Sequence, residues 1–569
     1  MTDGSYLSML TNMPTLAKVL LTSPFTPYIK SDPIDDDTDF FYQKNTIGQK
    51  MFTMKQVHHW HALHYIAQNI GVDSVVLENP SWDEFEREIT QGQFQVVAIS
   101  FTIKSVLKTI RMLKFLNDYH PEIETVLGGY GTTMFKESTL KSEELRALTK
   151  HVCFGDGIPF MQNLVKEKWG VAAPVGIVQK FIPSILAFRF SDTPIHQNIS
   201  FLYSLGCNNR CSFCATSHQY GCKKTRVLSP ADLHQKLHEQ VAANPKLKSG
   251  ILYDEDFLEN RREFLEYMAL VSQDELLTER KFTFFVFASV RAIEQYSIEE
   301  LVKGRIGTIF IGVESLVDKI LQEEKLPKRG HRSVPELFQE LHGAGINTIA
   351  STIVGWESQN MQNIDSELAA YVALNPSLTQ IIPLMAFPGT TLWENLKQEG
   401  RLDVNYDFDH QIFGYSSVAY AGFTQDQVKD LVTQTGIQIL QDGGPWVFKF
   451  AVNFMQGYRK FRNSPDPFLA RQSRNYRDLC LEILPLALAS VLFFYGKGFQ
   501  KRWWKWLPQV LREWPLRSIG AFALGVPVSL GLLIFYSVNK LRYAFSKDGE
   551  QPKFLRFYYH DRKVFTGNC

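Results

Sequence analysis

Cys207-Asn-Asn-Arg-Cys211-Ser-Phe-Cys214 follows directly on an apolar, strand-like run, Ile199-Ser-Phe-Leu-Tyr-Ser-Leu205. The chain of 569 residues holds only seven cysteines, so three of them at CxxxCxxC spacing mark a metal site rather than a chance cluster. An iron-sulfur cluster of the 4Fe-4S type normally takes four thiolates, and a tight loop that offers three leaves one iron open to another ligand. Zinc is the competing reading. It requires a fourth donor at short range, for which His218 and Cys222 are the nearest candidates, whereas zinc motifs usually come as two close pairs and no second CxxC is present. A disulfide framework is disfavoured in a long chain with few cysteines and no secretory signal.

The CxxxCxxC motif, with the aromatic Phe213 ahead of its third cysteine, resembles the hallmark of the radical S-adenosylmethionine (radical SAM) enzymes. The resemblance continues through Tyr253-Asp-Glu-Asp-Phe257, Phe310-Ile-Gly-Val-Glu-Ser315, Ile353-Val-Gly-Trp-Glu357 and Pro388-Gly-Thr-Thr-Leu392, in the order of that family's SAM-contacting segments. It implies a 4Fe-4S cluster held by Cys207, Cys211 and Cys214, with SAM chelating the open iron. An electron delivered by a flavodoxin or ferredoxin would then split SAM to a 5'-deoxyadenosyl radical.

Length and composition set the outer bounds. The chain is long enough for three or four domains, and 45% hydrophobic residues supply ample cores. Lys plus Arg (60) nearly balances Asp plus Glu (59), so no overall field gathers nucleic acid. The opening residues lack a basic stretch ahead of an apolar run, which places the catalytic part in the cytoplasm as an expectation.

From residue 15 to about 170 strand and helix patterns alternate, which predicts an α/β doubly wound sheet for residues 1–175. Lys18-Val-Leu-Leu-Thr22 opens it, and strands are expected at 74–78, 95–100 and 125–128. Met54, Val57, Trp60, Leu63, Ile66 and Ile70 recur at helical spacing and predict one long helix ended by Gly71. Val96–Phe101, Val126-Leu-Gly-Gly-Tyr-Gly131 and Phe154–Gly157 resemble the cobalamin-binding domain that precedes the barrel in one radical SAM subfamily. That likeness makes Gly128 and Gly129 cofactor-binding candidates, since glycine lets backbone approach a flat ligand; an ordinary tight turn is the alternative. The cobalt-ligating DxHxxG signature is missing, with Ser23-Pro-Phe-Thr-Pro27 in its place, which fits members of the subfamily and equally a domain that has lost the cofactor. His58, His59, His61 and His64 form a patch read as a partly solvated helix face without acidic partners, not as a metal site.

Residues 181–400 carry six strand candidates, 199–205, 249–254, 282–288, 307–312, 347–353 and 379–385, separated by helical patterns. The resemblance implies a partial (β/α)6 barrel, with the cysteine loop, Asp254, Glu314 and Gly355 all at carboxyl ends of strands, where barrel sites lie. By resemblance, the neighbourhood of Asp254, Glu255 and Asp256 contacts the SAM amino group, and Glu314 the ribose hydroxyls. A solvated acidic turn or a helix cap is the alternative for each. Arg291 is either a carboxylate-orienting residue or a surface arginine. Cys153, Cys222, Cys480 and Cys569 are read as packing or surface residues.

Residues 401–475 read as a helical extension, with Tyr406-Asp-Phe-Asp-His410 and the amphipathic Thr424–Val432 as a substrate cover. Residues 476–569 are more apolar, and of the two apolar runs, 481–494 and 519–536, only the second approaches spanning length. Between them Lys497-Gly-Phe-Gln-Lys-Arg-Trp-Trp-Lys-Trp-Leu507 interleaves cations with tryptophan, as at bilayer interfaces. The region is therefore expected to dock at the cytoplasmic membrane face, with a buried helical bundle as the alternative. The functional expectation is a cobalamin-dependent radical SAM enzyme that methylates an unactivated carbon of an apolar small molecule, such as a lipid, isoprenoid or tetrapyrrole-like compound. The alternatives are radical cyclisation or oxidation of such a substrate, or a non-catalytic cobalamin or redox sensor.

Overall fold

The computed structural model describes residues 18–26, 46, 48–57, 59–180, 184–188, 194–402, 416–545, 555–561 and 563–567. The chain start, His58, Tyr406–His410 and Cys569 lie outside the described residues. Two sheets organise the rest. In the first, Val19–Thr22 pairs in parallel with Ser74–Glu78 on one side and Val96–Ser100 on the other, and Glu124–Gly128 and His151–Val152 follow. Both faces are covered, so these strands are continuous apolar runs. Their side chains alternate between two cores: Leu20, Val75, Leu77, Val97 and Ile99 on one face, Val19, Leu21, Val76, Val96 and Ala98 on the other. The covering helices start where the sequence caps them. At Trp82–Gln91 the Ser81 hydroxyl accepts from the Glu84 amide (3.3 Å) while the Glu84 carboxylate accepts from the Ser81 amide (2.7 Å), and Phe85 and Ile89 face inward.

The long helix expected from Met54 is not formed. Met54–Val57 is instead a strand, antiparallel to Ser184–Phe188 in the second sheet, and the helix spans only His61–Ala67. Helical spacing in this segment coincides with a free sheet edge, and ladder pairing wins because it satisfies backbone groups and buries Met54. The carboxylate of Glu78 accepts from the Trp60 amide and fixes where the helix begins.

The second sheet holds the six predicted parallel strands in sequence order: Pro194–Leu202, Leu247–Tyr253, Thr283–Ser289, Ile306–Glu314, Asn347–Val354 and Leu378–Pro383. It curls without closing, so it is a partial barrel. One face, with Leu252, Phe284, Val286, Ile309 and Ile311, packs on the connecting helices. The other shares a core with the C-terminal helices, where Ile251, Phe285, Ile349 and Leu378 meet Trp446, Phe448, Trp503 and Trp506. Helix Pro467–Ala489 runs unbroken through the expected boundary near 475.

The end of the chain departs most from the sequence expectation. Leu555–His560 pairs antiparallel with Ser74–Glu78, and Lys563–Gly567 adds a further strand, so the C-terminal hairpin completes the N-terminal sheet. Arg556 grips Glu88 through two hydrogen bonds, 2.9 and 2.8 Å. The Tyr559 hydroxyl donates to His64 Nδ1 (2.5 Å), whose Nε2 meets Glu78 Oε1 (3.0 Å), while His59 Nδ1 meets Glu78 Oε2 (2.8 Å). The histidine patch is thus not a solvated face: His64 and Glu78 are fully buried. The acid partner comes from a strand fourteen residues on, which no local pattern shows.

This cluster predicts acid sensitivity. Burial lowers the His64 pKa from its ordinary 6.5, partly opposed by Glu78. Burial pushes Glu78 upward, but His64 and His59 outweigh it and hold the carboxyl well below its ordinary 4.5. In both cases the unfolded chain binds the proton first, so stability is lost as pH falls, from about 6.5 for His64 and again from about 4.5 for Glu78. Calorimetry should show the thermal midpoint falling on acidification through 6.5. Tyr559→Phe should cost about 1–3 kcal/mol at neutral pH, because a buried ring nitrogen loses its donor.

Candidate active site

The cysteine loop leaves the first barrel strand and is closed by a two-residue ladder between Ser204–Leu205 and Thr225–Arg226. Its turns are internally bonded: the Asn209 amide reaches Cys207 Sγ (3.4 Å), the Cys214 amide reaches the Cys211 carbonyl (3.1 Å), and the Ser217 hydroxyl reaches the Cys207 carbonyl (3.1 Å). Cys207 and Cys211 are buried and Cys214 is half-buried. At the far end of the sheet, the Leu392 amide donates to the Ser212 carbonyl (2.9 Å), which staples the loop to the segment Pro388–Leu392.

A single ion does not fit this loop. Tetrahedral zinc needs four donors gathered at short range, and among the described residues the three thiols do not form such a group. His218 spends Nδ1 on the Cys214 carbonyl (2.9 Å) and Nε2 on the Thr391 hydroxyl (2.9 Å), so it is no fourth ligand. Three spread thiols suit a multi-iron cluster with one corner left to a small molecule. Burial pushes Cys207 up to about 12 and Cys214 to about 11, and raises Cys211, with Lys328 pulling the other way at all three. Cluster binding therefore releases protons.

Lys328 is the charge centre beside the loop. Its Nζ pairs with Glu314 Oε1 and stands 5.7 Å from the Phe213 ring centroid, and the ring lies edge-on to the buried Trp356 at 5.7 Å. Burial opposes the Lys328 charge, but Glu314 and the thiols outweigh it and hold the ammonium well above its ordinary range. Glu314 has φ +59, a left-handed conformation costing a non-glycine residue about 1–3 kcal/mol. Its carbonyl is held by the Thr352 hydroxyl (3.1 Å) and Trp356 Nε1 (3.4 Å). Gly355, at φ +111, gives its amide to Gln359 Oε1 (2.9 Å).

The three acids after the second barrel strand separate into different roles. Asp254 spends Oδ2 on the Ser204 hydroxyl (2.6 Å) and Oδ1 on Lys224 Nζ (2.7 Å) and the Asp256 amide (2.9 Å). Asp256 accepts from the Ser289 amide (3.1 Å) and hydroxyl (2.7 Å) and from Asn209 Nδ2 (3.3 Å). Arg291 is exposed, as the surface reading expects, and from there donates to Asn209 Oδ1 (2.9 Å), which steadies the cysteine loop. Glu255 alone of the three is accessible, in the mouth beside Thr216, Tyr130 and Cys214. Crowding by surrounding protein, then Asp254, raises its carboxyl against Lys328 and Lys224, and the open side of the mouth limits the first of these. The run of acids did not reveal which one faces the mouth; the turn that follows the strand did, closed by the Asp256 amide on Asp254 Oδ1 (2.9 Å).

Beyond Tyr130, a neighbour of Glu255, lies a cavity of about 280 Å³ lined by residues of both halves of the chain. Ser100, Gly128, Gly129 and Asp156 line it from the carboxyl ends of the N-terminal strands, His61 from the short helix, and Leu205 and Tyr220 from the cysteine side. Gly129 has φ +85, and a Cβ there would stand 2.8 Å from the Phe101 carbonyl. Ser23 turns away from this cavity, its hydroxyl accepting from the Asn79 amide (2.8 Å).

The Radical SAM superfamily model matches residues 201–369. The hopanoid C-2 methylase of Rhodopseudomonas palustris is 24% identical over 207 residues, which are 36% of this chain and 38% of that protein. An uncharacterized methyltransferase of Synechocystis sp. is 27% identical over 210 residues, 36% of this chain and 38% of its own length. The aligned stretch thus spans well under half of either relative. The solved structure of the radical SAM methyltransferase TsrM from Kitasatospora setae, with tryptophan and a SAM analogue bound, superposes with a TM-score of 0.49 at 15% identity, over 67% of this chain and 76% of that one. Residues 201–369, a stretch that includes Cys207, Cys211 and Cys214, therefore match a radical SAM domain.

Proposed function

We propose that this protein is a cobalamin-dependent radical SAM methylase that acts on an unactivated carbon of an apolar small molecule at the cytoplasmic face of a membrane. The carrying observation is the cavity at the carboxyl ends of the N-terminal strands, between the Gly128–Gly129 turn and the residues that flank the cysteine loop, Leu205 and Tyr220. Its lining suits one edge of an amide-fringed corrin ring: the Gly128–Gly129 turn brings no side chain to one wall, Leu205 and Tyr220 offer apolar contact, and Ser100, Thr102 and Asp156 offer polar partners. When bound, the cluster with SAM supplies a hydrogen-abstracting radical and cobalamin supplies a methyl group.

The chain's own residues hold and orient. Cys207, Cys211 and Cys214 grip three corners of a cluster and leave the fourth for SAM, while Glu255 offers a carboxylate to the SAM ammonium in the mouth. Lys328 keeps compensating positive charge beside the cluster, and Glu314 anchors Lys328. An apolar substrate is supported by the inner face of the sheet, where half-buried Tyr253, Phe287 and Phe310 join the aromatic core of the C-terminal helices. It is supported too by the hopanoid named for one relative.

The test is anaerobic incubation of cluster-reconstituted protein with cobalamin, SAM, a flavodoxin or ferredoxin system and a hopanoid or other polyisoprenoid lipid. The expected result is 5'-deoxyadenosine, S-adenosylhomocysteine and a product heavier by one methyl group. A cyclised or oxygenated product would replace the methylase reading with the radical cyclase or oxidase one. No 5'-deoxyadenosine from fully loaded protein would leave the sensor.

A further inference from the structure

We infer that helix Pro515–Phe545 lies flat in one leaflet of an anionic membrane and does not cross it. The inference rests on the membrane-facing part of the proposed function and adds how the chain binds.

The helix has 31 residues, about 46 Å at 1.5 Å per residue, and one window apolar enough to span a bilayer. Composition alone therefore permits a transmembrane span. Strand pairing forbids it. Leu555–Tyr559 is laddered to Ser74–Glu78, so the chain after the helix lies on the same side as the chain before it. Only nine residues separate Phe545 from Leu555. Fully extended they reach about 36 Å, barely the roughly 30 Å of hydrocarbon, and such a return would leave backbone groups unpaired in lipid.

One face of the helix is already taken. Ser518 and Ser529 are buried, Leu532, Leu533 and Tyr536 pack on the core of the C-terminal bundle, and Gly525 lies so close to Pro485 that a Cβ would stand 1.9 Å from its carbonyl oxygen. The opposite face is apolar and open: Leu516 is 83% exposed, Ile519 64%, Leu524 58% and Ile534 58%. No charge falls between Arg517 and Lys540. On the preceding helix, Lys497–Glu513, exposed Lys497, Lys501, Trp504, Lys505, Leu511 and Arg512 share one stripe at spacings of three, four and seven.

The occupant follows from charge. Residues 497–545 hold eight Lys and Arg against one acid, Glu513, which Arg459 and Arg462 already hold. An apolar stripe rimmed by cations matches acyl chains beneath anionic headgroups, whereas two copies of this face would repel each other.

The test uses the full-length protein with vesicles of phosphatidylcholine, with and without phosphatidylglycerol. The expected result is sedimentation with the anionic vesicles, at least tenfold weaker binding to phosphatidylcholine alone, and release by alkaline carbonate. Ile519→Glu with Ile534→Glu, both on the open face, should lower binding at least tenfold with the thermal midpoint unchanged. Binding that resists carbonate would overturn the in-plane placement but leave the membrane reading standing. No binding to either vesicle, or a dimer that these substitutions dissolve, would overturn both.

Discussion

Cys207→Ala is expected to abolish SAM cleavage while the protein still folds. The loss should exceed the 10–100-fold typical of substitutions that merely support a metal ligand, because a cluster with two protein thiolates has no stable third corner. The substitution removes one partner of a weak contact, the Asn209 amide at 3.4 Å, and leaves the Ser217–Cys207 carbonyl bond and the Leu392–Ser212 staple in place. Iron content and the charge-transfer absorbance of anaerobically reconstituted protein should fall together with 5'-deoxyadenosine formation. A variant that retained both would show that the cluster lies elsewhere.

Gly128→Leu is expected to remove cobalamin binding and methyl transfer and to spare the radical step. Gly128 lines the cavity, its φ is not positive, and a Cβ there would meet nothing nearer than Cys153 Cβ at 3.9 Å. The added side chain therefore occupies the cavity without straining the turn. Affinity should fall by a hundredfold or more, equivalent to about 2.8 kcal/mol. Gly129→Ala is the control for strain. At φ +85, with the Phe101 carbonyl 2.8 Å from the new Cβ, it should cost about 1–3 kcal/mol of stability. Bound cobalt, thermal midpoint and uncoupled 5'-deoxyadenosine measured side by side separate the two effects. If Gly128→Leu binds cobalt as the parent does, the cavity is not the cofactor site.

The contrast between Asp254 and Glu255 shows where sequence reasoning runs short. Both stand in one acidic run, and by composition either serves. The turn after the second barrel strand sends Asp254 and Asp256 inward to Ser204, Lys224 and Ser289, and Glu255 outward to the mouth. The partners that fix these roles, Ser204, Lys224 and Ser289, come from other segments, so the run alone does not assign them. Lys328 escaped notice for a similar reason: it lies in a loop between helices and gains its place through Glu314, the Arg291 amide and Phe213 of the cysteine loop.

Local chemistry and period were enough to place the cysteine triad, the α/β class, the six parallel barrel strands and the helical C-terminal region, since each is written in spacings of two to four residues. Three features needed the folded chain. Met54–Val57 became a strand because a distant edge offered backbone partners. His64 became a buried link because Glu78 and Tyr559 converge on it from opposite ends of the sequence. The apolar helix lost its option to span because Leu555–His560 returns to a strand some 480 residues earlier. Each of these depends on contacts between segments whose separation no periodicity encodes, and their free energy appears only when both partners are in place.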